Sequence, residues 1–118
     1  MDAALPGLLS VALVLGTVSV LLARAIEADR LPRNRLVGIR TRDTLRSDAA
    51  WLAGHRAAAA TLRQSGAAAL VLTALGIVVR VAGPVGPGVA LVGAAALVGL
   101  CGLLVATLKA VGAARRVP

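Results

Sequence analysis

Three stretches of this chain, Ala3–Ala23, Gly66–Val79 and Val89–Leu108, contain no Asp, Glu, Lys, Arg or His. Nothing else in the sequence limits the possible folds as strongly. A bilayer core is crossed by roughly 20 consecutive apolar residues in a helix, because only a helix satisfies its own backbone hydrogen bonds in lipid. The first and third stretches meet that length. The second is shorter and reaches across when Arg63 and Arg80 extend their side chains toward the two interfaces. The residues used also suit lipid. The chain has no Phe or Tyr, and its apolar share of 58% is built from Ala, Gly, Val and Leu. A soluble core of this length normally buries aromatics, whereas small residues let membrane helices approach closely.

Small residues four apart recur in the outer runs: Ala12 and Gly16, Ser19 and Ala23, then Ala90 and Ala94, Ala95 and Gly99, Gly102 and Ala106. The expected architecture is an all-α membrane protein, a single domain over residues 1–118. Its spans are placed at about 4–24, 64–82 and 88–109, with a signature loop and helix start at 25–63. Pro6 fits the first turn of the first helix, where a missing N–H costs little. A cleaved signal peptide is disfavoured, because Asp2 stands where a basic start is expected and the run exceeds the usual signal core. Pro32 ends the first helix, and 34–42 reads as irregular chain with Gly38 supplying backbone freedom. The second helix starts near Thr44 or Ser47, both good cap residues, and Asp48 suits its positive end. It is expected as one long rod extended out of the membrane. The string Gly83–Gly88, GPVGPG, reads as the turn before the third span.

The charge is segregated. Of a formal +8, nine arginines lie between the first and second spans (Arg24, Arg30, Arg33, Arg35, Arg40, Arg42, Arg46, Arg56, Arg63), one between the second and third (Arg80), and Lys109, Arg115 and Arg116 at the end. Basic residues accumulate in cytoplasmic loops, so the N-terminus is expected outside and the central loop and C-terminus in the cytoplasm of a multi-pass cell-membrane protein. With no stacking aromatics on a basic face, direct nucleic-acid binding is not expected.

Catalytic readings fail on spacing. Ser47 or Ser65 with His55 lacks a nucleophile-elbow string, and Asp43 with Asp48 has no support as an acid–base pair. His55 has no second His or Cys nearby to complete a metal site, and Cys101 stands alone, so neither a metal nor a disulfide framework is expected. No acidic residue lies within the three runs, which argues against proton-coupled transport. The chain is expected to be no enzyme and to need no cofactor.

What remains is the polar segment Arg30–Arg56. Thr44, Ser47, Trp51 and His55, three, four and four apart, would share one helix face. Trp51 and His55 suit either a docking surface or an interfacial anchor, since Trp favours that depth. Arg40 and Thr41 beside Gly38 suit an anion, an ion pair of Arg40 with Asp43 or Asp48, or anionic headgroups.

The string Asn34, Val37-Gly38-Ile39-Arg40-Thr41, Thr44-Leu45, Ser47, Trp51 and His55-Arg56 resembles the signature of the SdpI family. It departs at Arg42, where that family often has Pro, and the chain looks like the signature-bearing unit without the additional helices of the family's well-studied member. The resemblance implies an immunity or signalling protein of the membrane. It would confer resistance to a secreted peptide toxin and recruit a cytoplasmic transcriptional regulator at the loop. The residues it carries over are Asn34, Gly38, Ile39, Arg40, Thr41, Thr44, Ser47, Trp51, His55 and Arg56. Expected partners are membrane lipids, a peptide toxin, a transcriptional regulator and a second copy of the chain. The alternative is a structural or accessory subunit of a larger membrane complex, packed through its small-residue faces.

Overall fold

The structure is a computed structural model describing residues 2–118, and it is helical throughout its regular elements. A short 3₁₀ turn, Asp2–Ala4, leads into α1, Leu5–Glu27, with Pro6 in its first turn. Residues 28–41 form an irregular loop. Then come α2, Arg42–Leu45, α3, Asp48–Ala82, and α4, Val85–Arg115. The three long helices run up, down and up, with α3 packed against both α4 and α1. Each is long and apolar enough to cross a membrane. The bundle measures 55 × 22 × 20 Å, so a hydrocarbon core of roughly 30 Å leaves a substantial part of its length in the polar layers.

That excess is concentrated on α3. Thirty-five residues at about 1.5 Å each make a rod of roughly 52 Å. The uncharged run Gly66–Val79 lies toward its far end, and the charged and polar side chains of its first half, Asp48, His55, Arg56, Arg63 and Gln64, lie toward the loop.

Burial runs opposite to that of a soluble bundle. The large apolar side chains Val14, Leu21, Val71, Val78, Leu97 and Leu104 point outward, more than half exposed. The interior is made of Ala12, Ala23, Ala58, Ala69, Ala95, Ala106 and Ala110, all fully buried. Lipid solvates Leu as well as another helix does, so association here rests on close backbone approach rather than on hiding leucine. Gly16 and Gly66 supply it between α1 and α3: a Cβ built on Gly66 would lie 2.9 Å from the Gly16 carbonyl oxygen. On the other side of α3, a Cβ on Gly102 would lie 2.1 Å from that of Ser65, and one on Gly54 2.9 Å from the Ala110 carbonyl oxygen. The pairs Ala12/Gly16, Ser19/Ala23, Ala95/Gly99 and Gly102/Ala106 face inward, whereas Ala90 points out.

Two boundaries differ from the sequence reading. The second turn is only Gly83 and Pro84, because Pro87 falls in the first turn of α4, where its missing N–H breaks no helical bond. Thr44 belongs to α2 rather than to α3, since Thr41 caps a separate helical turn before Ser47 restarts the chain.

Ion pairs tie both ends of the bundle. Arg80 grips Asp2 at 3.0 and 3.1 Å, joining the end of α3 to the start of α1. At the other end Arg63 pairs with Glu27.

Candidate functional site

The loop would be free chain without something to hold it, and the residues that hold it are those of the signature string. Asn34 shapes its own turn. Its Oδ1 accepts from the N–H groups of Leu36 (2.8 Å) and Val37 (2.7 Å), and its Nδ2 donates to the Pro32 carbonyl (2.8 Å). A short amide does this by substituting for a backbone partner two or three residues away. The chain then reverses at Gly38, whose φ of +114° lies where side chains rarely go. The space there is equally demanding. A Cβ on Gly38 would sit 2.9 Å from His55 Nε2 and 2.9 Å from Trp51 Cη2.

Gly38 thereby lays the next peptide across α3. The Ile39 N–H donates to His55 Nε2 at 2.9 Å, and the Ile39 carbonyl accepts from Thr44 Oγ1 at 2.6 Å. The Ile39 side chain enters the core between Leu22, Ile26, Ala58, Leu62 and Ala106. Thr41 and Thr44 form a reciprocal cap on α2: each hydroxyl accepts the other residue's N–H, at 3.1 and 2.9 Å. Ser47 accepts the Ala50 N–H at 3.0 Å and starts α3.

His55 and Trp51 form the floor. Their rings stack 4.0 Å apart with planes at 28°. Trp51 Nε1–H donates to the Leu31 carbonyl at 2.9 Å, so α3 holds the loop at both Leu31 and Ile39. The histidine tautomer follows from its partners. Nε2 faces an N–H and must be bare, so the proton sits on Nδ1 and is donated to the Trp51 carbonyl at 2.8 Å. His55 is only 2% exposed. Burial pushes its pKa below the ordinary value, while the Trp51 carbonyl pulls the other way more weakly. Both ring nitrogens are engaged, and this imidazole serves as a neutral acceptor that clasps the loop.

The other signature residues lie around this clasp. Arg56 is exposed and faces Asp29 at 3.6 Å. Arg40 is exposed, and its guanidinium donates to the Arg35 carbonyl. Of the three alternatives for Arg40, the pairing with Asp43 or Asp48 does not form, because those carboxylates are taken by Arg115 (3.2 Å) and Arg33 (3.0 Å). Trp51, only 2% exposed, is neither a docking surface nor an anchor at the lipid interface: the loop covers it. Thr44 is fully buried and, with Trp51 and His55, packs inward.

Sequence reasoning passed over three contributors. Leu31 matters through its carbonyl, which no side-chain pattern reveals. Arg33 donates to the Leu45 carbonyl at 3.1 Å while it pairs with Asp48. Arg46 donates to the carbonyls of Ala114 and Val117, both at 2.8 Å, closing the end of α4 from a distant part of the chain. A basic side chain over exposed helix-end carbonyls is favourable, but the sequence does not say which arginine arrives there.

The fold and the clasp define a class: a small multi-pass helical membrane protein whose inter-helix loop is locked onto the first turns of its central helix. Residues 30–108 match the profile of the SdpI/YfhL protein family, and the chain belongs to that family. Comparison with curated proteins and with solved structures gave no match.

Proposed function

We propose that this protein is a non-enzymatic immunity protein that protects a membrane against a secreted peptide toxin, with the clasped loop on the cytoplasmic side. The observation that carries the reading is the use to which the signature is put. Asn34, Gly38, Ile39, Thr41, Thr44, Trp51 and His55 all serve one loop conformation and leave its outer surface studded with arginines. A rigid, charged platform beside three spans suits recognition and recruitment better than turnover. In this reading α3 and α4 meet the incoming peptide in the membrane, and the platform reports to, or recruits, a cytoplasmic regulator. The weight of arginine at the loop end supports the cytoplasmic assignment.

Expression in a toxin-sensitive cell tests the reading: survival is expected, and unchanged killing refutes it. Orientation has its own test. A Leu36→Cys variant made with Cys101→Ala should resist an impermeant maleimide on intact cells and react after lysis. Labelling of intact cells would overturn the assignment.

A second reading, an accessory subunit of a larger membrane complex, rests on a different face. Ala60, Gln64, Ala67, Val71 and Ala74 form an uncovered stripe on α3 at alternating four- and three-residue spacing. Mass measurement after gentle extraction separates the two, since a hetero-complex that persists under every condition favours the subunit.

A further inference from the structure

Two cavities meet at Arg40. One is a cleft of about 610 Å³ between α1 and α4 beneath the loop, walled by Val18, Leu21, Ala25 and Leu103 and roofed by Val37. The other is a cup of about 770 Å³ on the loop itself, formed by Arg33, Asn34, Arg35, Arg40 and Leu45. Arg40 lines both. The two differ in chemistry: the first is an apolar slot, the second a basic cup.

The charge in the cup is only partly compensated. Among the described residues every carboxylate side chain already faces an arginine: Asp2 with Arg80, Glu27 with Arg63, Asp29 with Arg56, Asp43 with Arg115 and Asp48 with Arg33. Within the cup that leaves Arg35 and Arg40 without a carboxylate. The loop between them carries Leu36 and Val37, which are 84% and 56% exposed. Two bare apolar residues flanked by arginines that have no carboxylate partner fit the layer where headgroups meet acyl chains, and they suit bulk water poorly.

We propose that this paired cavity is a binding site for one anionic phospholipid, its phosphate held by Arg35 and Arg40 and an acyl chain lying in the α1–α4 slot. A free phosphate would use the cup alone. A lipid uses both cavities and accounts for their junction. The site does not depend on the immunity reading.

The test uses the full chain in detergent and native mass spectrometry, with dioleoyl-phosphatidylglycerol, dioleoyl-phosphatidylcholine and inorganic phosphate as probes. One phosphatidylglycerol should be retained in preference to phosphatidylcholine. The R35Q/R40Q variant should weaken that retention by about fivefold for each arginine removed. The V18W variant, which fills the slot from an exposed position on α1, should also lose the bound lipid. Trp51 emission in R35Q/R40Q, where it is still the only aromatic side chain, should be unchanged and so certify the fold. An equal loss in R24Q/R116Q would mean diffuse attraction and overturn the site. So would equal retention of phosphatidylcholine, an undiminished lipid count in V18W, or tight binding of inorganic phosphate. A lipid-free dimer mass would assign the slot to a second copy and likewise overturn the proposal.

Discussion

Replacing Gly38 with alanine attacks the clasp at its narrowest point. The backbone at φ +114° is costly for any residue with a Cβ, about 1–3 kcal/mol. The new methyl would also stand 2.9 Å from His55 Nε2 and from Trp51 Cη2. Neither ring can retreat freely, because each is held by its own hydrogen bond to backbone. Overpacking of this kind costs roughly 1–3 kcal/mol. Relief comes from lifting the loop, which forfeits the Ile39–His55 bond, worth about 1 kcal/mol. Taking about 3 kcal/mol as the combined cost to the clasped state, the protection of the Ile39 amide should fall by about a hundredfold. Hydrogen exchange in detergent micelles, read at Ile39 and at an amide within α4, measures this directly. The α4 amide, taken at Val92 in a core cluster that contains no loop residue, should be unaffected. Gly112→Ala is the control, with nothing within 4 Å of the added methyl; helix propensity makes it neutral or slightly stabilising. Unchanged exchange at Ile39 in the Gly38→Ala variant would refute the account of the clasp.

Two further outcomes are expected. His55 holds the loop only as the neutral Nδ1–H form, and burial lowers its pKa in the clasped state, so the open state takes up the proton more readily. Clasp stability should therefore be complete above the ordinary histidine pKa of about 6.5 and decline as pH falls below it toward the depressed value. Trp51 emission across a pH titration follows this, and His55→Gln, whose amide oxygen can still accept from Ile39, should remove the pH dependence. Thr44→Val deletes the donor to the Ile39 carbonyl and half of the cap on α2, and should lower the thermal midpoint of the loop transition by an amount equivalent to about 1–2 kcal/mol; a midpoint equal to wild type counts against that network.

The helices were legible because their signal is local. Uncharged runs mark the spans, a serine before an aspartate marks the start of α3, and small residues at four-residue spacing mark most of the faces that meet. The loop was legible only in part. Gly38 was recognisable as a point of backbone freedom, but that its missing side chain makes room for two rings depends on where α3 passes. Trp51 was misread for a physical reason: its preference for interfaces comes from needing one hydrogen bond beside an apolar surface, and the Leu31 carbonyl supplies that bond inside the protein. Of the alternatives open to Arg40, the ion pair fails because Arg33 and Arg115, the latter from the other end of the chain, hold Asp48 and Asp43. Ala90 fits the spacing rule, yet it lies near the start of α4 on a face that no neighbouring helix reaches.

The unbroken course of α3 gives the molecule a mechanical property. Trp51 and Arg80 ride on the same stiff rod, separated by roughly 44 Å at about 1.5 Å per residue. A tilt of only about 5° pivoting at one of them swings the other through roughly 4 Å, more than the length of a hydrogen bond. The Asp2–Arg80 latch at one end of the bundle and the histidine clasp at the other are thus opposite ends of a lever, and a tilt that leaves one in place displaces the other.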